Sequence, residues 1–261
     1  MNILEKINIE ALCNSAKGFN EKMPFPYAVV DDFFDTDLAL QLEQEFPDYT
    51  SSLWHKYDNA IEVKKTLNNW NVFPPLTYSV FDALNSEKFL NLIQELFGVK
   101  KLYSDQGLNG GGWHIHRAGG KLNTHLDYSI HPKLGLQRKL NLLVYLNSNW
   151  ENSWGGDLGL WNGTDKAPSQ LITEIAPIFN RAVIFDTTQN SWHGLPAEIL
   201  SPDTEYRRSL ATYYLQVPEE SVSLRGKALF APYKAQVDDK SVLELIRKRA
   251  DVKTANSVYK K

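Results

Sequence analysis

A single cysteine in 261 residues, Cys13, removes intramolecular disulfides and thiolate metal clusters together. Any metal held by this chain is bound through nitrogen and oxygen. No apolar run approaches the roughly 18 residues of a membrane-spanning helix. The opening stretch MNILEKINIEALCNSAKGFNEK alternates charge too often for a secretory signal. The expectation is a cytoplasmic protein that does not enter a membrane. Basic excess is missing as well: 28 Lys and Arg stand against 31 Asp and Glu, a formal net charge of -3, so nucleic acid is not the expected partner. Internal repeats, low-complexity tracts and Pro/Gly/Ser linkers are absent, which favours one domain over 1–261 and leaves the oligomeric state open. Within it, 1–100 reads as a helix-rich support, 101–217 as a β-rich core and 218–261 as an extension. What is present, 43% hydrophobic and 23% charged residues, is enough for a substantial core.

The support begins with Tyr27 to Val30, an apolar run that reads as a strand, followed by Asp35 as the N-cap of a helix. Leu38, Leu42 and Phe46 fall on one face of that helix, and Pro47 ends it. In SEKFLNLIQELFG, Ser86 is placed to cap a second helix, Phe89, Leu90, Ile93, Leu96 and Phe97 repeat at helical spacing, and Gly98 stands where a left-handed C-terminal residue belongs. From Leu102 to Val217 the texture changes to short β-rich segments, WHIHR, LNLLVYL, DLGLW, LITEI, AVIFD and LATYYL, separated by Gly-Gly, Asn-Gly, Pro and Asn/Ser clusters. Such regular short strands indicate an antiparallel sandwich or barrel, with a jelly roll the natural candidate. Beyond Pro218 the pattern predicts one amphipathic helix, roughly Ser241 to Arg249, and a Lys-ended terminus that frays.

Five of the six histidines, 114, 116, 125, 131 and 193, lie in the β-rich block. Imidazole is the commonest metal ligand. On a strand, residues i and i+2 point to one side, so His125 and Asp127 in NTHLDYS can present an imidazole and a carboxylate to a common point. His193 in SWHG, after the strand AVIFD, offers a third ligand. Two histidines and one carboxylate on one face of an octahedral ion leave three positions open, the arrangement suited to non-haem Fe(II). Alone, H-x-D is a weak signal and a loop hydrogen-bonding pair would explain it.

Five ordered segments strengthen it: PFPYAVVDDFF, HRAGGKLNTHLDYS, RKLNLLVYLNSNWENSWGGDLGLW, AVIFDTTQNSWHGLP and YRRSLATYYL. On these the chain resembles the Fe(II)- and 2-oxoglutarate-dependent oxygenases of the prolyl 4-hydroxylase-like branch. The resemblance implies a cupin-like double-stranded β-helix, or jelly-roll, core in a mainly β fold with flanking helices. It implies iron ligands at His125, Asp127 and His193. The R-x-S pattern of the family falls on Arg207 and Ser209, whose guanidinium would pair bidentately with the far carboxylate of 2-oxoglutarate. Strand parity selects Arg207 over Arg208, since Arg207, Ser209, Ala211 and Tyr213 share one side. Tyr145 matches the family tyrosine that shares that carboxylate, and Asn141 and Leu143 should face the same pocket.

The implied activity is hydroxylation of an unactivated C–H bond, with 2-oxoglutarate and O₂ converted to succinate and CO₂ and ascorbate as accessory reductant. Asp127 separates the chain from halogenating relatives, which carry alanine or glycine there. A prolyl residue of a protein or peptide is the family-level substrate, with glycan, lipid-linked and small-molecule substrates open. Two departures bear on this: LPAEILSPDTEY lengthens the gap between His193 and Arg207, and His116 and Leu122 stand near the two tyrosines usual upstream of H-x-D. His116, Trp192 and Asn123 are the residues expected toward the substrate. His114 and His131 read as structural hydrogen-bonding histidines and Asp157 as a turn residue. Two other readings fit the residues: a jelly-roll module that binds carbohydrate or a small molecule without catalysis, and a cupin-like metalloenzyme that does not use 2-oxoglutarate.

Overall fold

The computed structural model describes residues 2–187 and 190–259. Lys260 and Lys261, in the terminus expected to fray, lie outside the described residues. The chain opens with α1 (Ile9–Ala16), whose first turn is closed by the Asn8 side chain accepting from the Ala11 N–H, and β1 (Tyr27–Val30) follows. Asp35 caps α2 (Thr36–Gln44) through the Leu38 N–H, as the sequence predicts. Next come β2 (His55–Asp58), β3 (Glu62–Leu67) and α3 (Pro75–Leu84), which starts on proline. Ser86 caps α4 (Glu87–Phe97) at the Phe89 N–H, and Gly98 ends it at φ 61°.

Short strands then dominate: β4 (Tyr103–Ser104), β5 (Gly112–His116), β6 (Lys121–Leu122), β7 (His125–Leu126), β8 (Gln137–Tyr145), β9 (Leu158–Gly163), β10 (Pro168–Ile175), β11 (Ala182–Asp186), β12 (Trp192–Gly194) and β13 (Arg207–Gln216). The extension adds β14 (Leu229–Phe230) and α5 (Lys240–Ala250), capped by Asp239. Among the described residues the strands form two sheets. The larger runs β1-β11-β8-β13-β5-β3-β2, with β4 on β13 and β6 on β3, and the smaller runs β10-β9-β12-β7-β14. The strand pairs are antiparallel.

Alternation decides which layer each side chain joins. Leu140, Leu142, Val144, Ile184 and Leu210 leave the large sheet on its outer face, where they pack with Leu12, Leu38, Leu42, Phe81, Phe89 and Ile93 of the helices into the main core. The inward residues Tyr145, Val183 and Phe185 meet Leu158, Leu160 and Ile175 of the small sheet. That second core seals one end of the space between the sheets. At the other end the inward positions are polar, and a cavity of about 330 Å³ opens there.

Candidate active site

His125 and His193 face each other as register partners on β7 and β12, with ring centroids 4.4 Å apart. The Nδ1 of each is tied to the backbone carbonyl two residues before it, His125 to Asn123 at 3.0 Å and His193 to Ser191 at 2.8 Å. Those bonds fix both rings so that Nε2 points into the cavity. Asp127 completes the group, with Oδ1 3.8 Å from His125 Nε2 and Oδ2 3.9 Å from His193 Nε2. All three ligand atoms lie within 4.8 Å of one another. Asp127 Oδ2 is buried without a hydrogen-bond partner, an acceptor that a cation would satisfy. Burial, ahead of the charges of its neighbours, keeps the His125 pKa well below the ordinary value, and burial likewise lowers His193. Neutral imidazoles and an ionised carboxylate are the protonation states a divalent cation requires. The donor set therefore fits Fe(II).

Arg207, 5% exposed, projects from β13 into the same cavity. Its Nε donates to the Gly156 carbonyl at 2.6 Å and its Nη2 to the Tyr145 hydroxyl at 3.3 Å. These contacts orient the guanidinium while the cavity remains its open side. Arg208 takes the opposite face, 3.4 Å from Glu43 of α2, as parity predicts. The register around Arg207 builds a polar shelf: Arg207 lies opposite His116 of β5, and Ser209 lies between His114 of β5 and Tyr145 of β8. Asn141 and Leu143 line the cavity as expected. Tyr145, fully buried, meets Arg207 with its hydroxyl and contributes to the cavity through that contact.

The sequence gives no direct sign of Arg138. Counting back from Asn141, parity would put it among the core residues of the outer face. A register shift between Tyr214 and Leu215 skips Lys139, so that Leu215 pairs with Arg138 and the arginine turns inward. Its Nη1 lies 3.2 Å from Asp127 Oδ1, and its guanidinium carbon is 3.4 Å from the ring centroids of both Tyr128 and Tyr213. The site thus contains a cation clamped between two aromatic faces and aimed at the carboxylate of the triad. Burial raises the Asp127 pKa, but Arg138 first, then His193, His125 and the Tyr213 hydroxyl, more than reverse this and bring it to about 2. Phe230 of the extension was equally unannounced, and it stacks on the His125 ring at 5.0 Å.

Two residues expected toward the substrate are placed elsewhere. Trp192 is fully buried on the side away from the cavity, its indole N–H donating to the Thr164 carbonyl and its ring packed with Leu126 and Ala231. Adjacent strand residues face opposite ways, so the inward His193 sends Trp192 outward. Asn123 spends its amide on the Ala231 carbonyl and Gln236 Oε1, fastening the extension behind the site. His116 does line the cavity, with both ring nitrogens buried and unpaired by hydrogen bonds. His114 lines it too, and its Nε2 is unpaired, so it is less satisfied than a purely structural histidine. His131 accepts from the Lys133 and Leu134 N–H groups, a loop histidine.

Two opposed antiparallel sheets with a two-histidine, one-carboxylate group between them make a jelly-roll fold with a candidate site for a single metal ion. Residues 112–216 match the family model of the 2OG-Fe(II) oxygenase superfamily. The fold is similar to that of a Pseudomonas putida prolyl-4-hydroxylase, at 14% identity and TM-score 0.57 over 79% of this chain and 100% of that one. A Trichoplax adhaerens prolyl hydroxylase, solved with a peptide fragment of a hypoxia inducible factor oxygen degradation domain, matches at 16% identity and TM-score 0.50, covering 80% and 90% of the two chains. HygX from Streptomyces hygroscopicus, solved with nickel, 2-oxoglutarate and hygromycin B, matches at 12% identity and TM-score 0.50 over 73% and 82%. No curated protein matches the sequence. Among the described residues, no helix is long and apolar enough to cross a membrane.

Proposed function

We propose that the chain, read as one oxygenase domain over 1–261, is a cytoplasmic Fe(II)- and 2-oxoglutarate-dependent hydroxylase. His125, Asp127 and His193 are its iron ligands, and Arg207, with Tyr145, Ser209, Asn141 and Leu143 around it, is its cosubstrate anchor. The observation that carries this is the pairing of two features across one cavity: the converging triad with an orphaned carboxylate oxygen, and a buried guanidinium already oriented by Gly156 and Tyr145. When bound, iron and 2-oxoglutarate supply the oxidising chemistry, by which one oxygen atom of O₂ enters a C–H bond and succinate and CO₂ are released. The residues of the chain bind and orient. Arg207 gives two parallel hydrogen bonds to a carboxylate, which fixes the cosubstrate's direction as well as its presence. The packed apolar residues Leu143 and Leu158 exclude water from one wall of the cavity.

For the substrate, the similarity to prolyl hydroxylases supports a prolyl residue of a peptide or protein, while the HygX likeness supports a small molecule. The test is incubation with Fe(II), 2-oxoglutarate, ascorbate and a host-cell extract, followed by mass spectrometry for one-oxygen additions. Additions that appear with the wild type and vanish with Asp127→Ala support the proposal. The same additions in both reactions, or no 2-oxoglutarate-dependent succinate, would overturn it. A non-catalytic binding module predicts the latter result, and a metalloenzyme indifferent to 2-oxoglutarate predicts no response to Arg207→Ala.

A further inference from the structure

We propose that the substrate carries an anionic group, a carboxylate or phosphate monoester, bound by Lys64 with Lys227 and Arg249 at the part of the cavity built by β3 and the C-terminal extension. This rests on the oxygenase reading and narrows the molecule it acts on. Among the described residues, five cationic side chains line the cavity, Lys64, Arg138, Arg207, Lys227 and Arg249, against two carboxylates, Glu62 and Asp127. Iron(II) and the 2-oxoglutarate dianion cancel each other when both are bound, so loading the site leaves that excess of three positive charges in place.

The excess is localised. Arg138 is committed to Asp127 at 3.2 Å, and Arg207 is the cosubstrate anchor. Two of the other three, Lys64 and Arg249, bracket a single acid. Glu62, 1% exposed, has Lys64 Nζ at 3.8 Å on Oε2 and Arg249 Nε at 3.4 Å on Oε1. Lys227 lines the same cavity, and its pKa is lowered by burial and then by Arg249, which places the two cations in each other's field. Lys64, whose side chain is 13% exposed, is lowered by burial too, against the pull of Glu62. Positive charge withdrawn from water in a low-dielectric cleft focuses the field on whatever enters it. An anion entering there removes a repulsion and satisfies a cation together.

A second observation points to the same place. One residue beyond the Lys65↔Ile115 register, Lys64 comes level with His116, which is in turn level with Arg207. His116 is 2% exposed with neither ring nitrogen hydrogen-bonded, and His114 Nε2 is unpaired one step along the shelf. Burial first, then the positive charges of Arg207 and Lys64, keep both rings neutral. Neutral imidazoles beside an ammonium offer N–H donors suited to the oxygens of an anion, and a buried donor left unmatched is destabilising.

The test uses the anaerobic Fe(II) complex with 2-oxoglutarate saturating, so that Arg207 is occupied. Methyl phosphate is titrated with ³¹P line broadening by the iron as readout, acetate with ¹³C broadening, and trimethyl phosphate serves as the neutral control. The expected result is saturable broadening of methyl phosphate or acetate, none for the neutral ester, and affinity at least tenfold weaker in Lys64→Met. Lys64→Arg should restore most of the binding, which a folding defect at this position would not allow. The tighter probe identifies phosphate or carboxylate as the group. An intact complex with no saturable anion effect, or with an effect indifferent to Lys64→Met, overturns this inference alone. Failure of the wild type to bind Fe(II) and 2-oxoglutarate together overturns the oxygenase reading and this one with it.

Discussion

At the scale of single residues, the site is set by how side chains are held from behind. The two imidazoles are fixed through Nδ1 by backbone carbonyls, and the carboxylate between them is fixed by a charged side chain, Arg138. Outer partners of this kind govern metal affinity as well as ligand geometry. Replacing Arg138 with Met keeps an unbranched chain between Tyr128 and Tyr213 but removes the ion pair with Asp127. Iron affinity should fall by roughly 10–100-fold, measured by equilibrium dialysis, with the secondary structure by circular dichroism unchanged. Arg207 acts differently. Its fork is oriented by Gly156 and Tyr145, and lysine offers a point charge in place of two parallel donors. Arg207→Lys should raise the KM for 2-oxoglutarate by about tenfold or more, while metal binding stays at the wild-type level. An unchanged KM would assign the cosubstrate to another anchor.

Elements explain which of these residues could be read from sequence. On β13 the alternation is unbroken from Arg207 to Tyr213, so the choice of Arg207 over Arg208 followed from parity and the structure places them as expected. On β8 the same rule works for Asn141 and Leu143 and fails at Arg138, because the register shift at Lys139 is a tertiary event that no local pattern announces. The hairpin of β2 and β3 is not legible in the sequence because HKYD and EVKKTL lack an apolar-polar alternation: β3 is half-buried along most of its length, and its Glu62 and Lys64 face a cavity. That strand meets β5 at Gly112, where φ is 90° and a Cβ would lie 2.2 Å from the Leu67 carbonyl oxygen. Alanine there forces β3 away from β5, and with it Lys64 and Thr66 away from the histidine shelf. Gly112→Ala should cost at least about 2 kcal/mol of stability by urea denaturation. Gly98→Ala, also at positive φ but with nothing within 4 Å, should cost about half as much.

For the molecule as a whole, the cavity is a store of buried neutral imidazoles, and this links its stability to pH. His114 is lowered to about 3, His116 and His125 well below the ordinary value of 6.5, and His193 below it as well, with burial the largest cause in each case. In the unfolded chain the same rings protonate near 6.5. Above that pH neither state takes up the protons, and the stability is fully present. Below it the unfolded chain binds protons that the folded chain refuses, so unfolding is favoured by roughly 1.4 kcal/mol per pH unit for each histidine. Asp127, held at about 2 against 3.8, adds to the loss only once the pH falls through the lower range. Metal-free protein should therefore show a urea midpoint that is level from pH 8 to 7 and drops steeply from pH 6 to 5. Saturating Fe(II) under anaerobic conditions should raise the midpoint at every pH, since the metal binds the neutral rings that only the folded chain brings together. A midpoint flat across pH 8 to 5 would mean that the four imidazoles take up protons without unfolding, and that their burial does not keep them neutral.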